Sequence, residues 1–110
     1  MSALKLGCQT YTWEMLGPAW TGGPDDLLDA ISAAGYTGIE ITDTMIGFYA
    51  GDAGGFAAAL RDRGLTLVAL AVSSASGFTE KDSLTADLDL LARWTDFIAH
   101  FPGAVLSIGS

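Results

Sequence analysis

Three times along this chain a helix-forming stretch stops at Gly or Pro-Gly and hands over to a short apolar run: AAGYTGIEIT, RDRGLTLVALAV and HFPGAVLSIGS. Strands that alternate with helices long enough to cross over pair in parallel, and a parallel sheet is stable only when helices cover it. The rhythm excludes all-helical and all-β folds and predicts an α/β unit. The last run reaches Ser110 with no helix after it, so the expectation is the front part of a larger α/β architecture.

The elements follow from local signals. Leu4 to Thr12 reads as the first strand, followed by an aromatic, Gly-rich loop holding Trp13, Trp20, Gly22 and Gly23. Pro24 opens a helix with Asp25 and Asp26 in its first turn, where the fixed φ of proline and negative charge both suit a helix N-terminus. Leu27, Leu28, Ile31 and Ala34 recur on one face and Gly35 supplies the stop. Tyr36 to Thr42 is the second strand; a Gly-rich loop then leads to a short helix from Phe56 to Arg63, closed by Gly64. The third strand, Leu65 to Val72, carries no charge. After the polar loop SSASGFTEKD, a helix is predicted from about Ser83 to Phe101, with Leu84, Leu88, Leu91, Trp94 and Ile98 as its apolar stripe and Pro102-Gly103 as its end. Ala104 to Ile108 is the fourth strand. No linker or low-complexity segment divides the chain, so residues 1–110 read as a single unit.

Thirteen acidic residues against five basic ones give a net charge of −8, which repels phosphate backbones and anionic lipid heads. Neither nucleic acid nor a membrane is an expected partner. Cys8 is the single cysteine, so no intrachain disulfide can form, and its place in the first strand reads as a small buried filler. The start MSALKLGCQTY lacks a basic leader followed by a long apolar segment, and no apolar run reaches the roughly twenty residues of a membrane span. The expected compartment is the cytoplasm.

Successive strand residues point to opposite faces, so each strand offers two sets. Ile39 and Ile41 oppose Glu40 and Thr42; Val68, Leu70 and Val72 oppose Ala69, Ala71 and Ser73; Leu106 and Ile108 oppose Val105, Ser107 and Gly109. In the first strand Leu6, Cys8 and Thr10 oppose Gly7, Gln9 and Tyr11. A doubly wound sheet wants apolar residues in both sets, whereas the interior of a (β/α)8 barrel accepts small and polar residues toward its C-terminal rim. Gln9, Tyr11, Glu40, Thr42, Ser73, Ser74, Ser107 and Gly109 all fall near strand C-termini and are expected to line one pocket.

Glu40 is the strongest single candidate, because a carboxylate between Ile39 and Ile41 in a buried strand is costly without a partner or a task. Its structural alternative is pairing with an Arg or a backbone donor. Asp43, just beyond, reads as a turn residue. Trp13 and Trp20 suit stacking on a ligand face or sealing a barrel mouth, Trp94 belongs to a helix core stripe, and His100 suits the C-terminus of its helix. The Gly22-Gly23 and Gly54-Gly55 pairs lack the spacing and the Lys of a phosphate-binding loop.

The opening LGCQTYTW, the segment DLLDAISAAGYTGIEIT and the following ALRDRGLTLVALAV together resemble the N-terminal part of the sugar phosphate isomerase/epimerase family, the xylose isomerase-like TIM-barrel superfamily. The resemblance implies a partial (β/α)8 barrel with parallel strands and helices on the outer face. It also implies action on a small sugar or polyol by proton transfer assisted by a divalent metal (Mn, Mg, Co or Zn), whose ligands come from later strands. No catalytic residue and no metal ligand is carried over, and the chain alone is expected to bind no metal and to be inactive. The resemblance assigns a substrate-side wall of Gln9, Tyr11, Trp13 and Glu40. The endonuclease branch of the superfamily is a poorer match, because its early histidine ligands correspond here to Ser73, Ser74 and Ser107. Two alternatives stand beside this reading: a non-catalytic part-barrel that forms homo-oligomers through its sheet edges, and an open α/β ligand-binding sheet.

Overall fold

The computed structural model describes residues 4–109; Ser110, where the last apolar run was expected to end, lies outside the described residues. The order of elements is β1 (Gly7–Gln9), α1 (Tyr11–Glu14), α2 (Pro24–Ala33), β2 (Gly38–Thr42), α3 (Ala53–Asp62), β3 (Thr66–Val72), α4 (Leu84–Ile98) and β4 (Val105–Ile108), with short 3-10 turns before α2, α3 and α4. The protein is an α/β unit whose four strands form one all-parallel sheet in the order β1-β2-β3-β4.

That order decides where the helices go. Each connection steps to the next strand in the same direction, and right-handed crossovers that never reverse place every helix on one face. The core accordingly lies on one side of the sheet, where Leu28 and Ile31 of α2, Phe56 and Leu60 of α3, and Phe97 of α4 close on Ile39, Ile41, Leu67, Leu70 and Val72. Burying side chains of this size stabilises by about 1.5–3 kcal/mol each. Phe56, fully buried, sits at the centre of an aromatic group, 5.3 Å from Tyr49, 6.0 Å from Phe97 and 5.7 Å from Phe101 between ring centroids.

The opposite face is bare. Gly7, Gln9 and Ser107 are exposed on it, and so are the apolar side chains of Val68, 51% accessible, and Val105, 59% accessible. Below them Gly38 lies against Gly7, and a Cβ at Gly38 would come within 3.0 Å of a Val68 methyl.

Polar ties fix the helices to one another. Tyr49 donates to Asp25 at 2.6 Å, the Arg63 guanidinium meets Asp29 at 2.6 Å, and Ser32 donates to the Arg63 carbonyl at 2.8 Å. Among the described residues no helix is long and apolar enough to cross a membrane.

Four expectations from the sequence change. The first strand is not Leu4 to Thr12 but ends at Gln9, and Tyr11–Glu14 is a helical turn. The cause is Thr10, which adopts helical φ/ψ and whose fully buried hydroxyl accepts the Thr42 N–H that a longer β1 would have paired. In β3 the faces switch phase: the register slips beside Ile39/Glu40, so Leu67 joins Leu70 and Val72 on the core face. Val68, expected in the core set, is turned out onto the bare face. α3 starts earlier than Phe56 because Asp52 caps it, accepting the Gly55 N–H at 2.9 Å. In α4 the buried face is rotated: Leu90, Trp94, Phe97 and Ile98 pack on the core, whereas Leu84 and Leu88 are exposed.

Candidate functional site

The C-terminal ends of all four strands converge on the bare face around a cavity of about 270 Å³. β1 supplies Gln9, α1 supplies Tyr11 and Glu14, β2 and the turn after it supply Thr42 and Asp43, and the ends of β3 and β4 supply Ser73, Ser107 and Gly109. Register explains the convergence. Gln9 pairs with Glu40, Thr42 with Ala71, and Ala71 with Ser107, so side chains of one parity point the same way across the sheet.

The floor of the rim is built by threonines. Thr10 is fully buried; its N–H donates to the Glu40 carbonyl at 3.0 Å and its hydroxyl accepts the Thr42 N–H at 3.2 Å, so a side chain completes the ladder that the early end of β1 leaves open. Thr42 and Thr44 in turn converge on Glu14: the Thr42 hydroxyl lies 3.3 Å from Glu14 Oε1 and 3.1 Å from the Thr44 hydroxyl, and the Thr44 hydroxyl donates to the same carboxylate oxygen. Asp43 begins the turn after β2; its N–H donates to the Ala71 carbonyl at 2.9 Å, and its carboxylate faces the Ser73 N–H at 3.5 Å. Two carboxylates, an amide, a phenol and several hydroxyls thus share one concavity, and among the described residues no Lys, Arg or His lines it.

Of the residues expected to share a pocket, Gln9, Tyr11, Thr42, Ser73, Ser107 and Gly109 are brought together here. Ser74 is not: its hydroxyl pairs with Ser76 at 2.9 Å and accepts the Phe78 N–H, within the loop before α4. Glu40 lies on the bare face in register with Gln9 and Ala69, between Gly38 below and Thr42 above, and does not line the rim cavity. Half-buried, its side chain makes no hydrogen bond or ion pair among the described residues. Trp13 packs partly buried against the core, edge-on to Trp20 with centroids 6.4 Å apart, and is absent from the cavity wall. Its position beneath the rim is one of packing, because the turn of α1 rotates it away from Tyr11.

Glu14 is the residue that reading the sequence missed. With Leu4 to Thr12 taken as a strand, the position falls in an irregular loop; once Tyr11–Glu14 is helical, Tyr11 and Glu14 stand three apart on one side of the turn. The available signal was the stretch YTWEML, free of Gly and Pro directly after the strand.

A second cavity, of about 390 Å³, opens on the bare face at the other end of the strands, where Gly7 and Gly38 leave room beside Val68 and Lys5. His100 is remote from the rim, with Nδ1 3.1 Å from the Asp96 carbonyl at the end of α4. Burial pushes the Cys8 thiol above its ordinary pKa, which keeps it protonated and a poor nucleophile. Among the described residues no group of three or more His, Cys, Asp or Glu side chains is placed to hold a metal ion. The residues present therefore do not fit the divalent metal implied by the resemblance.

No family model matches the chain, and no curated protein matches it.

Proposed function

We propose that this chain forms four consecutive units of a (β/α)8 barrel of the xylose isomerase-like kind, and that its rim cavity is one wall of a site for a small sugar or polyol. The observation that carries the reading is the unreversed order β1-β2-β3-β4 with all helices packed on one face and polar side chains gathered at the C-terminal ends of the strands on the other. A doubly wound sheet reverses its order and buries both faces. An unreversed sheet continues to curl in one sense, and closed barrels place their sites at that C-terminal end. Gln9 and Tyr11 offer an amide and a phenol to ligand hydroxyls, and Glu40, in register with Gln9, stays outside the cavity wall. Metal-assisted proton transfer needs ligands that these residues do not supply, so the part of this unit is to bind and orient.

The test is a titration of the purified chain with free pentoses, hexoses and cyclic polyols, followed by amide NMR shifts. Saturable shifts confined to the cavity wall, at Gln9, Tyr11, Glu14, Thr42, Asp43, Ser73 and Ser107, and lost in Tyr11→Ala, are expected. Absence of any saturable shift at tens of millimolar ligand would overturn the sugar reading.

A second reading is favoured by a separate observation: β1 and β4 are the two edges of the sheet, and apolar Val68 and Val105 stand exposed between them. Unpaired edges invite pairing. A two-fold axis along the strands would set β4 of one copy beside β1 of another with every strand still parallel, giving eight strands in all. Light scattering after size-exclusion chromatography across a concentration series decides: a dimer supports closure by a second copy, and a monomer at all concentrations removes it.

A further inference from the structure

Resting on the reading of the rim cavity as a polyol site, we infer that Glu14 is its specificity-determining residue, a carboxylate pre-set by Thr42 and Thr44 to accept ligand hydroxyls or an ammonium group and to turn away phosphate esters.

The geometry separates the two oxygens of this carboxylate. Oε1 receives the Thr44 hydroxyl and lies 3.3 Å from that of Thr42, whereas Oε2 has no partner among the described residues and belongs to a side chain on the cavity wall. Thr44 is exposed, but Thr42 is not a loose donor. Thr42 is buried and its N–H is tied to Thr10, the residue from which α1 starts. Glu14 and its holders are therefore linked at both ends, through the backbone of α1 and through their side chains. A carboxylate held in this way loses little rotamer freedom when a ligand arrives, which is where a flexible glutamate on an open rim would lose affinity.

The surroundings fix the ligand's chemistry. Asp43 is the second carboxylate of the cavity, Gln9 and Tyr11 add an amide and a phenol, and Ser73 and Ser107 stand on the far strands. Such a wall is rich in acceptors, and two of its groups are carboxylates with no cationic side chain beside them among the described lining residues. Carboxylates accept only, and hydrogen bonds to them are about twice as strong as neutral ones. The complementary ligand carries many donors: a neutral polyhydroxy compound, or one in which an amine replaces a hydroxyl. A phosphate dianion meets like charge at close range with nothing to neutralise it. The net charge of −8 on the whole chain acts in the same direction.

The probes are glucose, glucosamine and glucose 6-phosphate, titrated at pH 6.5 and low salt into the wild-type chain, Glu14→Gln and Thr44→Val, with thermal unfolding as the check that each variant is folded. Glucosamine is expected to bind about tenfold more tightly than glucose, and glucose 6-phosphate about tenfold more weakly or not at all. In Glu14→Gln the amine preference should vanish and glucose affinity fall about threefold to tenfold; in Thr44→Val, which frees the carboxylate, affinity for both should fall while the amine preference remains. The Glu14 carboxyl carbon resonance should shift on saturation in the wild-type chain, a readout that needs no variant. Binding of glucose with Glu14→Gln unaltered and the carboxyl resonance unmoved would overturn the role of Glu14 and leave the sugar reading standing. Equal binding of the phosphate ester would overturn the charge selection. No binding of any of the three would overturn both readings.

Discussion

Replacing Thr10 by Val removes one oxygen and keeps the shape. Thr10 is fully buried, and its hydroxyl accepts the Thr42 N–H at 3.2 Å, where the β1–β2 ladder has already ended at the Gln9–Glu40 pair. In Thr10→Val that buried N–H has no acceptor, a loss of about 1–3 kcal/mol. Valine recovers part of this by burying a methyl where the hydroxyl was, so the net destabilisation is about 1–2 kcal/mol. With an unfolding entropy near 2.1 cal/mol/K per residue, a chain of 110 residues should lose roughly 4–9 °C in Tm. Urea denaturation should show a lower midpoint at unchanged slope. Thr10→Ser keeps the acceptor and gives up a methyl, so its Tm also falls, but for another reason. Amide hydrogen exchange separates the two: protection of the Thr42 N–H should drop in Thr10→Val beyond the global loss and stay with the global value in Thr10→Ser. A Thr10→Val chain as stable as the wild type, with Thr42 still protected, would show that the early end of β1 is not compensated by this side chain.

Three further outcomes follow from the packing and the ionisable groups. Phe56→Ala, which empties the centre of the aromatic group formed with Tyr49, Phe97 and Phe101, should cost about 3–5 kcal/mol, a large share of a stability of about 5–15, and remove the cooperative thermal transition seen by near-UV circular dichroism. Gly38→Ala places a methyl within 3.0 Å of a Val68 methyl and should cost about 1 kcal/mol or more in urea unfolding, with most of it restored by adding Val68→Ala. The Tyr49 phenol is held above its ordinary pKa by its hydrogen bond to Asp25 and then by burial. Its folded value exceeds its unfolded one, so its contribution is complete below about pH 10 and is lost as pH rises through the raised value. Urea midpoints from pH 9 upward should therefore fall more steeply for the wild type than for Tyr49→Phe.

The sequence by itself determined the alternation of strand and helix, the positions of β2, β3 and β4 to within a residue or two, and the burial of Leu27, Leu28, Ile31, Ile39 and Ile41. These rest on local rules: Pro24 and two aspartates open α2, Gly35 closes it, and Ile alternates with a polar residue in β2. Gathering of Gln9, Thr42, Ser73 and Ser107 at one rim was legible too, because parity and chain direction alone bring the C-terminal ends of parallel strands together, whereas Tyr11 reaches the same rim from the turn of α1 and not as a strand residue. What the tertiary structure decided was every choice between two locally equal options. α4 carries two apolar stripes, and only contact with β3 and β4 selects Leu90, Trp94 and Phe97 over Leu84 and Leu88. β3 and the residue before it have leucines of one parity at Leu65 and Leu67 and of the other at Leu70, and pairing with β2 places the slip that turns Val68 out. Glu14 joins the rim because a side-chain acceptor from Thr10 ends β1 three residues before Thr12, and a contact between residues thirty-two apart in sequence has no local signature. Periodicity reports which faces are apolar; the partner surface decides which of them is buried.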